Sequence, residues 1–288
     1  MWLLVQQYPP LWLGICLVLG LLVGSFLNVV ILRLPPLLEY EWQVQSRTLL
    51  SLDGVLEPPP PGLVWDRSHC PHCNHQISAW ENIPVLSYLL LRGRCRSCKQ
   101  TISWRYPLIE TLTTFATVIV AYRFGPSSEA IGGFLLSWIF IVLAGIDLDK
   151  QLLPDIITLP SLWMGMIFSL LGNFSDPSSS IVGATAGYLS LWSVYQGFKL
   201  LTGKEGMGYG DFKLLALIGA WLGWQALPGT ILIASLLGTC AGIVLLVSRR
   251  QHQGQPMPFG PYLAVAGWLM LLFGDVINGT YLRLSGLT

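Results

Sequence analysis

Charge is what this 288-residue chain has least of. Asp, Glu, Lys and Arg make up 11% of it, against about 25% in an ordinary soluble domain. With 53% hydrophobic residues and a mean hydropathy of +0.59, that scarcity excludes a water-soluble globule. Histidine is sparse too, and none of the four falls in an H-E-x-x-H pattern. The chain therefore lacks the helix-borne zinc pair of a metalloprotease. No G-x-G-x-x-G unit follows a strand pattern, which removes a dinucleotide fold. No basic face or nucleic-acid motif stands out, so no nucleic-acid partner is expected. The first apolar run has neither a basic n-region nor an A-x-A site and reads as a retained helix, not a cleaved signal peptide.

What the sequence has instead is apolar runs of about 17–20 residues, the length that crosses a bilayer core. Eight candidate spans lie at about 11–32, 106–123, 130–147, 156–173, 180–200, 212–225, 229–247 and 259–277. The sixth is the weakest, being short and carrying Gly219 and Gly223. An even count puts both termini on one side and the connections 33–105, 147–155, 200–213 and 248–258 on the other. All Lys and Arg except Arg123 and Arg283 lie in or beside those connections, Arg249 and Arg250 among them. The positive-inside rule then turns those connections to the cytoplasm.

The polar region 33–105 opens at Pro35-Pro36 and contains Pro58-Pro59-Pro60-Pro61-Gly62, a stiff polyproline-type break. Beyond it come Cys70-Pro71-His72-Cys73 and Cys95-Arg96-Ser97-Cys98, with 21 residues between the pairs. Four thiolates so spaced can close a tetrahedral shell around zinc. Two disulfides or four free thiols are the alternatives, and a reducing cytosol counts against disulfides. A shell filled by sulfur leaves no open position for catalysis, so zinc would hold a domain too small for its own core. His69, His72 and His75 read as bystanders, and Cys16 and Cys240, inside apolar runs, as small buried residues. The expected fold is an all-α polytopic membrane protein: about eight transmembrane helices with a small cytoplasmic four-cysteine zinc-binding domain between the first two. The expected domains are 1–32, the first helix; 33–105, the zinc-binding domain; and 106–288, a membrane domain.

Seven acids sit near span ends: Glu110, Asp147, Asp149, Asp155, Glu205, Asp211 and Asp275. A solvated or capping carboxylate is the ordinary reading of each. Asp155, after Pro154 and before an apolar run, reads as an N-cap. Asp149 beside Lys150 needs no special role, Asp275 falls at the outer end of the last span, and Glu110 snorkels or touches substrate. Asp147 and Asp211 differ, because each borders an apolar span where ionisation is expensive, follows a glycine within two residues and lacks an adjacent base. Asp211 ends Gly206-Met207-Gly208-Tyr209-Gly210-Asp211, whose three glycines allow close approach and positive φ. If the two acids meet, they share one proton. The ionised member can then take a proton from water while the protonated one polarises a carbonyl, the arrangement of aspartic proteases.

Gly208-Tyr209-Gly210-Asp211-Phe212-Lys213 resembles the G-x-G-D signature of intramembrane aspartic proteases. Gly24-Ser25-Phe26-Leu27-Asn28-Val29-Val30, the two Cys-x-x-Cys pairs, Ile146-Asp147 through Pro154-Asp155 and Pro258-Phe259-Gly260-Pro261 add to it. Taken in chain order and over nearly the whole chain they resemble the type IV prepilin peptidases, leader peptidases and N-methyltransferases of bacterial pilus and type II secretion systems. The resemblance implies Asp147 and Asp211 as the catalytic pair. It also implies prepilin and pseudopilin substrates in the lipid bilayer, cut after a glycine at the cytoplasmic face of the inner membrane. Methylation of the new N-terminus with S-adenosylmethionine rests on the resemblance alone. Pro258-Phe259-Gly260-Pro261 is expected to flank the substrate near the pair, or to be an ordinary loop-to-helix junction. A proton-coupled transporter would also use paired membrane carboxylates, but the four-cysteine region and the lack of an internal repeat favour the peptidase.

Overall fold

The computed structural model describes residues 9–52, 58–248 and 257–284; Arg249 and Arg250, counted above for orientation, lie outside them. The described chain is helical, as long apolar runs require, because hydrocarbon offers main-chain N–H and C=O groups no water. In chain order the α-helices are α1 (Pro9–Leu49), α2 (Leu86–Leu90), α3 (Arg105–Phe124), α4 (Ser128–Lys150), α5 (Asp155–Leu170), α6 (Pro177–Thr202), α7 (Tyr209–Leu222), α8 (Leu227–Val247) and α9 (Gly260–Leu284). Every expected span coincides with one of these, and α2 is a short addition in the polar region. Among the described residues, four segments are long and apolar enough to cross a membrane by length and composition: α1, α4, Trp224–Val247 and Gly260–Thr280.

Two compact units divide the chain, Met1–Gly125 and Pro126–Thr288. The expected boundary at 105/106 falls inside the first of them, where α3 packs along α1. Glycines on α1 explain that pairing. A Cβ at Gly20 would stand 2.7 Å from Thr114 Cα, and one at Gly24 2.7 Å from Glu110 Cα. Bare faces four residues apart let the two backbones touch, the small-residue contact of membrane helices. Asn28, one turn on, donates from Nδ2 to the Tyr106 carbonyl at 3.0 Å and pins the start of α3.

The first helix also corrects an expectation. Pro35 and Pro36 lie inside α1, which continues to Leu49 instead of ending near residue 32. Each proline removes one N–H and leaves the carbonyl four residues back without its partner, but proline's fixed φ suits a helix. Burial of Leu34, Pro35 and Leu38 holds the segment together across the gap. At 1.5 Å per residue α1 is about 62 Å long, about twice the hydrocarbon thickness.

In the second unit the short helix α7 is the centre. All of Leu214–Trp221 is buried, and α5, α6 and α9 pack around it. A helix apolar on every side is at home only when protein or lipid surrounds it completely. Gly187 on α6 brings that helix in, since a Cβ there would stand 2.6 Å from the Leu215 carbonyl oxygen. Trp221 locks α5 by donating from its indole to the Ser161 carbonyl at 2.8 Å and stacking on Phe168 at 5.0 Å between centroids. Phe212 sits among Tyr188, Tyr195 and Tyr209 at 5.4–5.9 Å, which fixes the start of α7. Its weakness as a free-standing span is thus answered by burial. Around this core α8 turns outward an apolar surface that includes Leu232, Leu236, Ile243 and Val244. Cys16 is fully buried, but Cys240 is exposed on α8, contrary to expectation: in a bilayer, burial against lipid and burial against protein look alike in the sequence.

Candidate active site

Asp147 lies in the last turn of α4, where Gln151 at φ 50 closes the helix by donating its N–H to the Asp147 carbonyl at 2.9 Å. A carboxylate near a helix C-terminus opposes the helix dipole, so helix stability does not account for it. Asp211 is the third residue of α7, at the end where the dipole favours an anion, with the Gly208 N–H facing its carboxylate. Both are nearly shut off from solvent, at 5% and 7% exposure, and close enough to interact electrostatically.

Two residues between them build the site. The Gly260 N–H donates to Asp147 Oδ2 at 3.0 Å; a Cβ at Gly260 would sit 2.6 Å from that oxygen and 3.3 Å from Leu153 Cδ1. The other side of Leu153 meets α7, since a Cβ at Gly210 would stand 2.7 Å from Leu153 Cβ. Leu153 is therefore a wedge between the start of α7, which carries Asp211, and the start of α9, whose first N–H holds Asp147. Pro258-Phe259-Gly260-Pro261 is a loop-to-helix junction with proline in the first turn of α9, and its first helical N–H reaches Asp147. The glycines of the G-x-G-D stretch serve close approach, Gly210 to Leu153 and Gly206 to Phe198. Positive φ is not their use, as Gly208 has φ −79 and neither of the others is left-handed.

The remaining acids separate from this pair. Asp155 is not the N-cap of α5, a place taken by Pro154; it is the first helical residue and pairs with Lys213 Nζ at 2.6 and 2.8 Å. That bridge ties the starts of α5 and α7 beside the acids. Glu205 pairs with Lys199 at 2.8 Å, and Asp275 is exposed on α9. Glu110 is buried on α3 and accepts the Val85 N–H at 2.7 Å. Gly260, Leu153 and the Lys213–Asp155 bridge went unread as site residues in the sequence. A main-chain donor and a packing wedge carry no side-chain signature, although proline following Gly260 did mark a helix start.

In the first unit the four cysteines converge, with all four sulfurs within 4.8 Å of one another. Each pair sits on the same turn. The Cys70 N–H donates to the His75 carbonyl at 2.9 Å and Asn74 N–H to the Cys70 carbonyl at 2.9 Å; Cys95 with Gln100, and Lys99 with Cys95, repeat this at 2.8 and 3.0 Å. Asn74 and Lys99 take the left-handed conformation, φ 55 and 60, that lets each turn close. Isolated bridges His69–Gln76 and Arg94–Thr101 bracket the two turns. Sulfur separations of 3.8 Å for Cys70–Cys98 and 4.0 Å for Cys73–Cys95 are far beyond a disulfide bond. They match the edge of about 3.8 Å that metal–sulfur bonds of about 2.3 Å give a tetrahedron. The cluster is thus compatible with a metal ion. His75 turns away to Glu81, at 3.4 Å.

Comparison with known proteins covers both units. Residues 18–124 match the model for the bacterial peptidase A24 N-terminal domain, and residues 134–243 match that for the type IV leader peptidase family. A prepilin leader peptidase/N-methyltransferase of Aeromonas hydrophila is 56% identical, with 97% of each chain covered. Proteins of the same description from Pseudomonas putida and Xanthomonas campestris pv. campestris are 51% and 45% identical, over 99% and 98% of this chain and 99% of each of theirs. No solved structure matches. With relatives this similar from end to end, and the two buried acids on the stretch the second model spans, the chain belongs to the type IV leader peptidase family.

Proposed function

We propose that this protein is a prepilin leader peptidase and N-methyltransferase of the bacterial inner membrane, with Asp147 and Asp211 as the catalytic pair of the peptidase. The observation that carries the reading is the burial of these two acids, within electrostatic reach of one another, at the end of α4 and the start of α7, in a full-length relative of proteins so named. Two carboxylates in one low-dielectric pocket hold one proton between them. The ionised member accepts a proton from the attacking water while its neighbour donates a hydrogen bond to the scissile carbonyl. The Gly260 N–H engages one Asp147 oxygen and leaves the other for this work. The substrates are prepilins and pseudopilins, cut after a glycine between a basic leader and the apolar helix.

The remaining assignments follow the same reading. Each of the eight span-bearing helices crosses the bilayer, and the basic connections place the pair and the cysteine region on the cytoplasmic side. Cys70, Cys73, Cys95 and Cys98 hold a structural zinc ion that closes the region between α1 and α3. S-adenosylmethionine supplies the methyl group for the new N-terminus.

The test is cleavage of a prepilin in membranes by wild type, Asp147→Asn and Asp211→Asn at matched expression. Wild type cuts, and each variant loses at least about 10³-fold, comparable to the loss of a group acting in the transition state. Normal cleavage by either variant removes that residue from the mechanism.

A further inference from the structure

The first unit holds a cavity of about 540 Å³ that peptide hydrolysis does not use. Small-molecule sites run from about 300 to 1,000 Å³. Asn28 and Arg33 of α1, Glu81 and Tyr88 of the connection, and Tyr106 and Glu110 of α3 line it, with Cys70 and Cys95 along one wall. Groups of both charge signs and two aromatic rings face one space, and one buried carboxylate oxygen among them lacks a hydrogen-bond partner.

Glu81 is the clearest case. Its Oε2 takes the Ser78 N–H at 2.9 Å and the Ser78 hydroxyl at 2.8 Å. Its Oε1 is buried and receives no hydrogen bond; Arg96 Nη1 stands 3.9 Å from it, and His75 Nε2 3.4 Å from Oε2. Buried acceptors are rarely left so. Glu110, 8% exposed, accepts the Val85 N–H and the Ser25 hydroxyl and, among the described residues, has no basic partner. Arg33 donates to the Gly62 and Asp66 carbonyls at 2.7 and 2.8 Å, contacts that aim the guanidinium without neutralising it. A ligand that satisfies this cavity carries positive charge for two carboxylates, negative charge for an arginine, and a flat ring for Tyr88 or Tyr106.

We propose that this cavity is the methyl-donor site and takes S-adenosylmethionine, an adenosyl sulfonium amino acid. The inference rests on the N-methyltransferase half of the function proposed above. The donor's sulfonium and ammonium groups match Glu110 and Glu81, its carboxylate matches Arg33, and its adenine offers the ring. A basic leader peptide fits less well, because it would also face Arg33 and Arg96. In the transfer, the lone pair of the neutral N-terminal amine forms the new N–C bond. The methyl–sulfur bond breaks with its pair left on sulfur, and the methylated ammonium releases one proton.

Binding is measured without cleavage, so the result stands apart from the aspartate test. Zinc-loaded full-length protein in lipid nanodiscs is titrated with S-adenosylmethionine and with S-adenosylhomocysteine, which lacks the sulfonium charge. Wild type binds one S-adenosylmethionine per chain. Glu81→Gln and Glu110→Gln weaken that binding about tenfold, and Glu110→Gln weakens S-adenosylhomocysteine by a clearly smaller factor, a split that mere loosening of the fold would not produce. Photo-crosslinking of the adenine in the wild-type protein labels the peptides bearing Tyr88 or Tyr106, which tests the site even where a variant fails to fold. No binding by wild type, unchanged affinity in both folded variants, or crosslinks confined to Pro126–Thr288 each overturn the proposal. So does labelling of the cavity by a basic leader peptide that leaves S-adenosylmethionine affinity untouched.

Discussion

Asp147 and Asp211 were legible as single residues because an acid at the edge of an apolar run is costly and asks for a reason. The group that holds Asp147 was not legible, because it is the main-chain N–H of Gly260 and any residue but proline supplies one. What the position does demand is glycine. A methyl group there would enter the space of Asp147 Oδ2, at 2.6 Å, and press on Leu153. Gly260→Ala should therefore swing the Asp147 carboxylate off the amide and move the wedge. Overpacking of this kind costs about 1–3 kcal/mol, small enough for the protein to remain folded and inserted. Prepilin cleavage should fall at least about tenfold with KM little changed, since the loss falls on positioning in the transition state. Normal kcat in the variant would show that the Gly260 contact does not set the Asp147 geometry. Asp155 teaches the converse lesson: its sequence context fits an N-cap, but Lys213, 58 positions along the chain, claims it, and a tertiary partner leaves no local trace.

Among the elements, the cysteine turns were the most legible and α1 the least. A Cys-x-x-Cys spacing is read directly, and each turn closes through one residue in the left-handed conformation, Asn74 in the first and Lys99 in the second. The prolines of α1 misled because a proline pair is a good helix stop on average, whereas burial of Leu34 and Leu38 decides this case. The turns also set a pH dependence. Main-chain N–H groups of His72 and Cys73 point at the Cys70 sulfur and lower its thiol from 9.0 to about 7. Those of Cys98 and Ser97 act likewise on Cys95. The metal binds thiolate, so the sign follows. Above pH 7 Cys70 has little proton to displace, and below it a proton competes with the metal, by about tenfold in affinity per pH unit for each thiol so protonated; Cys98, which burial and the neighbouring sulfurs push up to about 11, competes across the whole range. Zinc affinity of the purified protein should thus fall steeply from pH 7 to pH 5, followed by competition with a chromogenic chelator. Cys70→Ser should carry well under one zinc per chain and melt at lower temperature. Flat affinity across that range, or full zinc content in Cys70→Ser, would mean that Cys70 is not a ligand.

At the scale of the whole molecule, hydropathy alone does not separate helices that face lipid from helices that face one another, since the largely buried α4 and the outward-facing α8 are both apolar enough to cross. The four segments that pass a length-and-apolarity criterion include the outward-facing α8. Helix α6 does not pass, although its 26 residues extend about 39 Å, enough to cross. Its polar start and small residues, Ser179, Ser180, Gly183 and Gly187, lower its hydropathy for a reason visible only in three dimensions: they are buried, with the glycines against α7. A serine that donates to the Ala220 carbonyl, as Ser180 does, costs a membrane helix little. Length and small-residue packing therefore support the proposed crossing of α6 against its lower mean hydropathy. On that proposal its ends lie on opposite faces, and the basic cluster of Lys199, Lys204 and Lys213 is expected on the inner one. Leu171 and Lys204 flank α6 and are both exposed, so each can carry a cysteine in a Cys240→Ser background. In intact spheroplasts a membrane-impermeant maleimide should label Leu171→Cys at once and Lys204→Cys only after permeabilisation. Labelling of both from outside would make α6 a re-entrant or surface helix. Labelling of Lys204→Cys alone would invert the second unit and move Asp147 and Asp211 to the wrong side for a cytoplasmic leader.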